Sequence, residues 1–279
     1  MDSSQKQDAE ESFYVSYNPF DVARYTLKEN GLFGTLAKYI AYKIAIKQFL
    51  AEPEANKKDR EYVYKRFAII DKKVKCGHYP YQFLLMAKYI LDLNVPGPLV
   101  ECGSYKGGGS AKLSILAKMT GRKLYICDSF EGLPNPKFES EAKQHGIVYD
   151  YNTTFHKGEF TGSLEEVKSN ITKYGCIEVC EFVKGFFDKS LPGLNIAPAF
   201  VFTDVDYFSS ARDCLKNLWP RMEKNGLWFT HEATYHEYIY GILDSTWWRE
   251  NMNECPPLII GAGTGLSHLA QAIAYMQKI

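Results

Sequence analysis

The run Pro98-Leu99-Val100-Glu101-Cys102-Gly103-Ser104-Tyr105-Lys106-Gly107-Gly108-Gly109-Ser110 decides how this chain of 279 residues is read. A short apolar stretch, Pro98–Cys102, ends on a carboxylate and a cluster of glycines, and a helical pattern then covers Ser110–Met119. A strand that passes into a helix through glycines brings bare backbone close to a ligand, and the start of the helix offers free N–H groups. The spacing is neither GxGxxG nor GxxxxGK[ST]. Glu101 would repel a pyrophosphate and suits an ammonium or hydroxyl donor. A tight turn whose glycines serve packing alone is the competing reading.

Downstream, the same texture repeats. Strands are expected at Lys123–Asp128, Ile177–Gly185, Ala199–Asp204 and Gly226–Thr230. Helices are expected at Ser163–Tyr174 and Ser209–Met222. Leu258–Lys278 has room for a closing pair of strands, although its centre also suits a helix. Such alternation predicts an α/β fold with a mostly parallel sheet covered on both faces. Upstream, Tyr14–Leu93 reads as helical, with polar breaks near Glu52–Lys58 and Lys72–Tyr79, and stops at Asn94-Val95-Pro96-Gly97. The expected organisation is a disordered tail over 1–12, a helical N-terminal extension or cap over 13–94, and a ligand-binding domain over 95–279. Within that domain, the polar segment at about 134–161 reads as a lid.

Composition narrows the function classes. Lys+Arg and Asp+Glu both number 33, so the formal charge is zero and no footprint of a dedicated nucleic-acid binder is present. Hydrophobic residues at 46% and charged residues at 24% fit a globular chain rather than a disordered one. The apolar run Leu36–Leu50 is interrupted by Lys38, Lys43 and Lys47 and reads as an amphipathic helix, not a membrane span. MDSSQKQDAEES has neither a basic n-region nor an apolar h-region, so no secretory leader is expected there. Seven cysteines without a CxxC pair suggest reduced thiols, and the cytoplasm is the expected compartment. Two local patterns are set aside. Gly261–Gly265 has GxGxG spacing and too little chain after it for a βαβ unit. His231-Glu232-Ala-Thr-Tyr-His236 spaces its histidines five apart, which does not put both on one helical face.

In an open parallel sheet, ligands bind beyond the carboxyl ends of the strands, near the switch in strand order. Those ends read Glu101, Asp128, Gly185, Asp204–Asp206 and His231–Glu232. Four of the five carry acid where a core would be apolar, which is the strongest signal in the residues themselves. An acid in the position of Asp128 grips both ribose hydroxyls in nucleoside-binding folds. It also suits an N-cap or Asx-turn in Asp128-Ser129-Phe130-Glu131-Gly132, and the two roles are compatible.

Taken in order, these residues resemble a known family. Val100–Gly108 and Tyr125-Ile-Cys-Asp-Ser-Phe-Glu-Gly-Leu-Pro134 are similar to the S-adenosylmethionine (SAM) motifs of the macrocin-O-methyltransferases. Gly162–Val167, Phe182-Val-Lys-Gly-Phe-Phe187 with Leu191-Pro192, Thr203-Asp-Val-Asp-Tyr-Phe208, and Leu218-Trp-Pro220 before Asn225-Gly226 continue the likeness over about residues 95–240. The resemblance implies a Rossmann-like class I methyltransferase fold, often with Mg²⁺, acting on hydroxyls of natural-product sugars. It further implies that Glu101, Gly103, Ser104, Tyr105 and the loop to Ser110 hold the methionine part of SAM and that Asp128 holds its ribose. Ser129, Gly185 and Asp204 complete the candidate cofactor contacts. Asp204 would be a metal ligand and Asp206 the general base.

The family's paired aspartates fall on His231 and Glu232. Mg²⁺ prefers oxygen ligands, so an imidazole weakens such a site or turns it toward softer metals. Three readings stay open. Asp204, His231 and Glu232 hold a transition metal; the metal is lost and His231 or Asp206 acts as base directly; or the fold serves another reaction. Methyl transfer from a sulfonium depends chiefly on alignment, but a hydroxyl acceptor must still lose its proton. Asp206 and His231 are the candidates for that task, with His236 a weaker one. His145, His156 and Lys157 of the lid are candidate substrate contacts. The reading is a SAM-dependent O-methyltransferase of a small acceptor, sugar or phenolic, with neither nucleic acid nor membrane as partner. The N-terminal helices are a candidate homo-oligomer contact. N- or C-methylation and a catalytically inactive binding protein are the alternatives.

Overall fold

The computed structural model describes residues 57–135, 155–233, 236–262 and 273–279, together with 36, 40, 42–44, 46–51 and 266. The expected tail over 1–12, His145 and positions 136–154 of the expected lid, and positions 263–265 of the GxGxG segment lie outside the described residues.

Six strands form one sheet: β1 (Leu99–Cys102), β2 (Leu124–Asp128), β3 (Cys180–Lys184), β4 (Phe200–Thr203), β5 (Leu227–Thr230) and β6 (Ala274–Gln277). Their order is β3-β2-β1-β4-β5-β6, and only β6 is antiparallel to its neighbour. Every residue of β1, β4 and β5 is buried, as expected of strands covered on both faces.

Alternation along the strands divides the core. Leu99, Ile126, Phe200, Phe202 and Phe229 face one layer of helices. That layer contains α1 (Lys57–Lys73), α2 (Pro80–Leu91), α3 (Gly108–Met119) and α4 (Leu164–Tyr174). Val63, Phe67 and Ile70 of α1 recur at helical spacing, and with Phe83, Met86 and Ile90 of α2 they join the same core as the sheet. Across α1 and α3, Asp71 and Lys112 form a buried ion pair, and the Lys112 ammonium lies 4.6 Å from the centre of the Phe83 ring. These contacts fix the turn at 74–79, between α1 and α2, against the start of α3.

Val100, Cys102, Val201 and Trp228 face the opposite layer. After the single turn α5 (Phe187–Ser190), that layer comprises α6 (Phe208–Leu218), α7 (His236–Ile242) and α8 (Ser245–Met252). Trp219, Trp228 and Trp248 pack edge to face there. No helix among the described residues is long and apolar enough to cross a membrane.

Three boundaries depart from the sequence reading. Residues 177–179 form a 3₁₀ turn rather than the start of β3, because the register with β2 begins only at Leu124 opposite Cys180. α6 ends at Leu218 and passes into a 3₁₀ turn over Trp219–Arg221, where Pro220 has no N–H to continue the ladder. Among the described residues at the C-terminus, β6 forms, and the rest of the expected strand pair shows as an isolated bridge between Ile260 and Tyr275.

Candidate active site

The strand ends line up across one rim. Cys102 is paired with both Cys127 and Thr203, and Thr203 with Thr230. The ladder runs one step beyond: Gly103 N–H donates to Cys127 O, Asp204 N–H to Cys102 O and His231 N–H to Thr203 O. Gly103, Asp128, Asp204 and His231 therefore stand side by side above the carboxyl edge. The order of strands reverses between β1 and β4, and a cleft of about 370 Å³ opens there. Glu101, Gly103, Ser104, Tyr105, Asp128 and Ser129 line one half of the cleft. His78, Asp204, Asp206 and His231 line the other.

Gly103 is indispensable to this geometry. Its φ is +90°, and a Cβ built on it would lie 1.9 Å from Asp204 O. Glycine is what lets the β1 and β4 loops touch. Gly109 plays a similar part beneath Glu101, since a Cβ there would come within 2.6 Å of the Glu101 carboxylate.

Glu101 is buried and accepts a short hydrogen bond from the Ser110 hydroxyl, so Ser110 acts through Glu101 and does not itself line the cleft. Burial pushes the Glu101 carboxyl up to about 8, against the pull of Ser110 and of positive charge on His78. Asp128 Oδ2 accepts from the Ser104 backbone N–H at 2.6 Å and from its hydroxyl at 3.0 Å; Oδ1 accepts from Phe130 N–H at 2.7 Å. The Asx-turn is thus formed while the carboxylate still faces the cleft. Burial raises the Asp128 pKa, and these three donors oppose the rise. The Ser129 hydroxyl, in turn, bonds Gly132 O and Glu131 N–H. Gly185 N–H bonds Asp128 O; the glycine lies behind the cleft wall, which is made by the next two residues, Phe186 and Phe187.

The other half of the cleft is built on charge. Asp204 lies between two imidazoles, with its Oδ2 2.8 Å from His78 Nε2 and its Oδ1 3.3 Å from His231 Nδ1. Burial would raise the Asp204 pKa, but the two histidines hold it well below the usual carboxylate range. Burial likewise opposes charge on His78, yet Asp204 and Cys76 push that imidazole up to about 10. Asp206, at φ +56°, sits in the left-handed region that a non-glycine residue seldom adopts. Burial and the nearby Asp204 and Glu232 raise its carboxyl well above normal.

Glu232 corrects the expected metal set. It is buried, its Oε1 accepts from Val205 N–H at 2.8 Å and Asp206 N–H at 3.1 Å, and its Oε2 accepts from the Thr230 hydroxyl at 2.6 Å. Both oxygens are spent on the loop that presents Asp206, and Glu232 does not reach the cleft. Among the described residues, the ligand atoms that converge, all within 4.8 Å of one another, are those of His78, Asp204 and His231. Two imidazoles and one carboxylate fit a divalent metal of borderline softness better than Mg²⁺. Sequence reasoning missed His78 because it stands in a short polar break after α1 and carries no local pattern. Only the fold brings it to Asp204.

The two arms of the expected lid meet at its base: Leu133 N–H donates to Glu159 O and Gly158 N–H to Leu133 O. Leu133, Phe155, Phe160 and Tyr207 pack together there. His156 and Lys157 are exposed and do not line the cleft. The His236 backbone begins α7.

A mostly parallel sheet of this order, closed by one antiparallel strand and with acidic strand ends around a cleft at its switch point, is the class I methyltransferase fold of its solved structural neighbours. The profile of the macrocin-O-methyltransferase (TylF) family matches residues 82–245, and the chain belongs to that family. A tetracenomycin-glycoside 4'-O-methyltransferase of Streptomyces olivaceus is 33% identical over 142 residues, which is 49% of this chain and 53% of that protein. Demethyldecarbamoylnovobiocin O-methyltransferase of Streptomyces niveus is 29% identical over 144 residues, 49% of this chain and 53% of its own. The chain thus spans about half the length of these curated relatives. Among solved structures, the O-methyltransferase NovP superposes with a TM-score of 0.57 at 20% identity, covering 86% of this chain and 99% of that one. The calicheamicin methyltransferase CalS11 gives 0.50 at 15% identity, covering 88% of this chain and 92% of the other.

Proposed function

We propose that the protein is a SAM-dependent O-methyltransferase acting on a hydroxyl of a small natural product, a sugar or a phenolic or polyketide-like acceptor. The observation that carries this reading is the meeting of Glu101, Asp128 and Asp204 in one cleft at the switch point of the sheet. Family membership and the activities named for the two Streptomyces relatives support it.

In this reading Asp128 takes the ribose hydroxyls, and the loop from Gly103 to Tyr105 passes along the methionine portion. Glu101, with Ser110 behind it, receives the amino group. An arriving ammonium favours the ionised carboxylate, so cofactor binding releases the Glu101 proton. Asp206 lines the same cleft, where the positive charge of a bound sulfonium would favour its ionised form, and it would then accept the proton of the acceptor hydroxyl. Alignment of hydroxyl, methyl and sulfur supplies much of the acceleration. Phe186, Phe187 and Phe160 provide apolar walls that exclude water. A divalent cation held at Asp204 and His231 would lower the pKa of the acceptor hydroxyl. Division into a 13–94 cap and a 95–279 catalytic domain, closure by a lid over 134–161, cytoplasmic residence, absence of a nucleic-acid partner and self-association through the N-terminal helices belong to the same proposal.

The test is transfer of labelled methyl from SAM to hydroxyl-only and amine-only acceptor panels. Transfer confined to hydroxyl acceptors, and lost in Asp206→Asn, is expected. Transfer confined to amines would contradict the O-directed reading, and binding of S-adenosylhomocysteine without transfer to either panel would favour a binding protein.

A further inference from the structure

His78 lies outside the residues matched by the family profile, in the turn between α1 and α2, yet its Nε2 is 2.8 Å from Asp204. We propose that His78 is the third ligand of a two-imidazole, one-carboxylate site with Asp204 and His231, and that this site takes a late first-row transition metal such as Zn²⁺, Fe²⁺ or Co²⁺ in preference to Mg²⁺. This deepens the divalent-cation part of the proposed function and rests on it.

The three ligand atoms converge. Ligands at about 2.1 Å from a shared ion stand about 3 to 3.5 Å from one another. His78 Nε2 is 2.8 Å from Asp204 Oδ2, His231 Nδ1 is 3.3 Å from Asp204 Oδ1, and all three ligand atoms lie within 4.8 Å of one another, so small side-chain shifts bring them around one ion. The two rings approach with centroids 4.6 Å apart at an interplanar angle of 75°, turned toward the same carboxylate.

The surroundings of His78 hold it in a ligating orientation. Its Nδ1 lies 3.3 Å from Cys76 Sγ. With that nitrogen engaged by the sulfur, Nε2 is the one presented to Asp204 and the cleft, which is the role an outer partner plays for a metal-bound histidine. The ring is wedged edge-on against Phe83 and tilted against Phe202, with centroids 5.0 and 5.4 Å away. Glu232, the alternative oxygen ligand, is fully occupied by Val205, Asp206 and Thr230. One carboxylate is left among the three converging ligands. Mg²⁺ demands oxygen, whereas imidazole favours Zn²⁺, Fe²⁺ and their neighbours.

The experiment titrates metal-stripped full-length protein with Co²⁺, Zn²⁺ and Mg²⁺, reading the visible bands of bound Co²⁺ and the calorimetric affinity. S-adenosylhomocysteine is titrated separately in the same samples. Expected are protein-dependent Co²⁺ bands, displacement by Zn²⁺, and Mg²⁺ binding weaker by at least about tenfold, with a comparable loss of Co²⁺ affinity in His78→Ala. Because His78 is packed among aromatic rings, His231→Ala serves as a second variant at a less buried ligand. Equal affinity for Mg²⁺ and Co²⁺, unchanged Co²⁺ binding in His78→Ala, or no Co²⁺ binding at all would overturn the proposal. S-adenosylhomocysteine binding without Co²⁺ binding would refute the metal site and leave the cofactor reading intact. Failure of S-adenosylhomocysteine to bind the folded protein would count against that reading instead.

Discussion

The two halves of the cleft are made by different means. On the β1–β2 side, the geometry comes from glycine and backbone: Gly103 lets two loops touch, and Ser104 and Phe130 N–H groups fix Asp128. On the β4–β5 side, the geometry comes from charge: Asp204 holds two imidazoles, and Glu232 holds a loop whose Asp206 is at positive φ. A half built on backbone fails by steric collision. A half built on charge fails when one partner is removed and the others are left buried.

The sharpest way to break the first half is Gly103→Ala. A methyl 1.9 Å from Asp204 O cannot be accommodated without moving β1 from β4. The expected loss is at least about 3 kcal/mol of stability, read as a fall in the denaturant midpoint, together with loss of cofactor binding. A variant as stable as the parent would refute the close approach. The corresponding lesion in the second half is Glu232→Ala, which strands the Val205 and Asp206 N–H groups and leaves the Thr230 hydroxyl to Tyr238. It should cost about 2 kcal/mol and depress turnover while S-adenosylhomocysteine affinity holds. Equal damage to cofactor affinity would show that the halves are not separable.

The smallest effect sharpens the comparison through pH. The Glu101 carboxyl titrates at about 8 in the fold because burial raises it from 4.5. The unfolded chain therefore loses this proton first as pH rises, and stability falls between the two values. Glu101→Gln removes that contribution. Between about pH 5 and pH 9 its stability should fall less than the parent's, by at least the roughly 1.4 kcal/mol of one pKa unit. Parallel curves would mean that Glu101 ionises normally.

Legibility followed the same division. The β1–β2 half could be read from the sequence because strand, acid and glycines are contiguous over 99–110, and Asp128 closes the next strand. The mostly parallel sheet followed from the alternation of strands and helices. Asp204, Asp206 and His231 were legible as strand-end residues. Their partners were not. Glu232 carries the same carboxyl as a ligand, and only the hydrogen bonds to Val205 and Thr230 reveal that it serves the loop. His78 is separated from Asp204 by more than a hundred residues, and its position depends on α1 and α2 packing on the sheet. The sequence has no periodicity that encodes such a contact.

The measurement that bears most directly on the account is calorimetric titration of the folded protein with S-adenosylhomocysteine, run on the parent, Ser104→Ala and Asp128→Ala. Ser104→Ala removes only the hydroxyl bond to Asp128 and keeps the backbone one. The account predicts micromolar binding to the parent, near-parent affinity in Ser104→Ala, and loss of binding in Asp128→Ala with the fold retained. No binding to the folded parent, or unchanged affinity in Asp128→Ala, would contradict it.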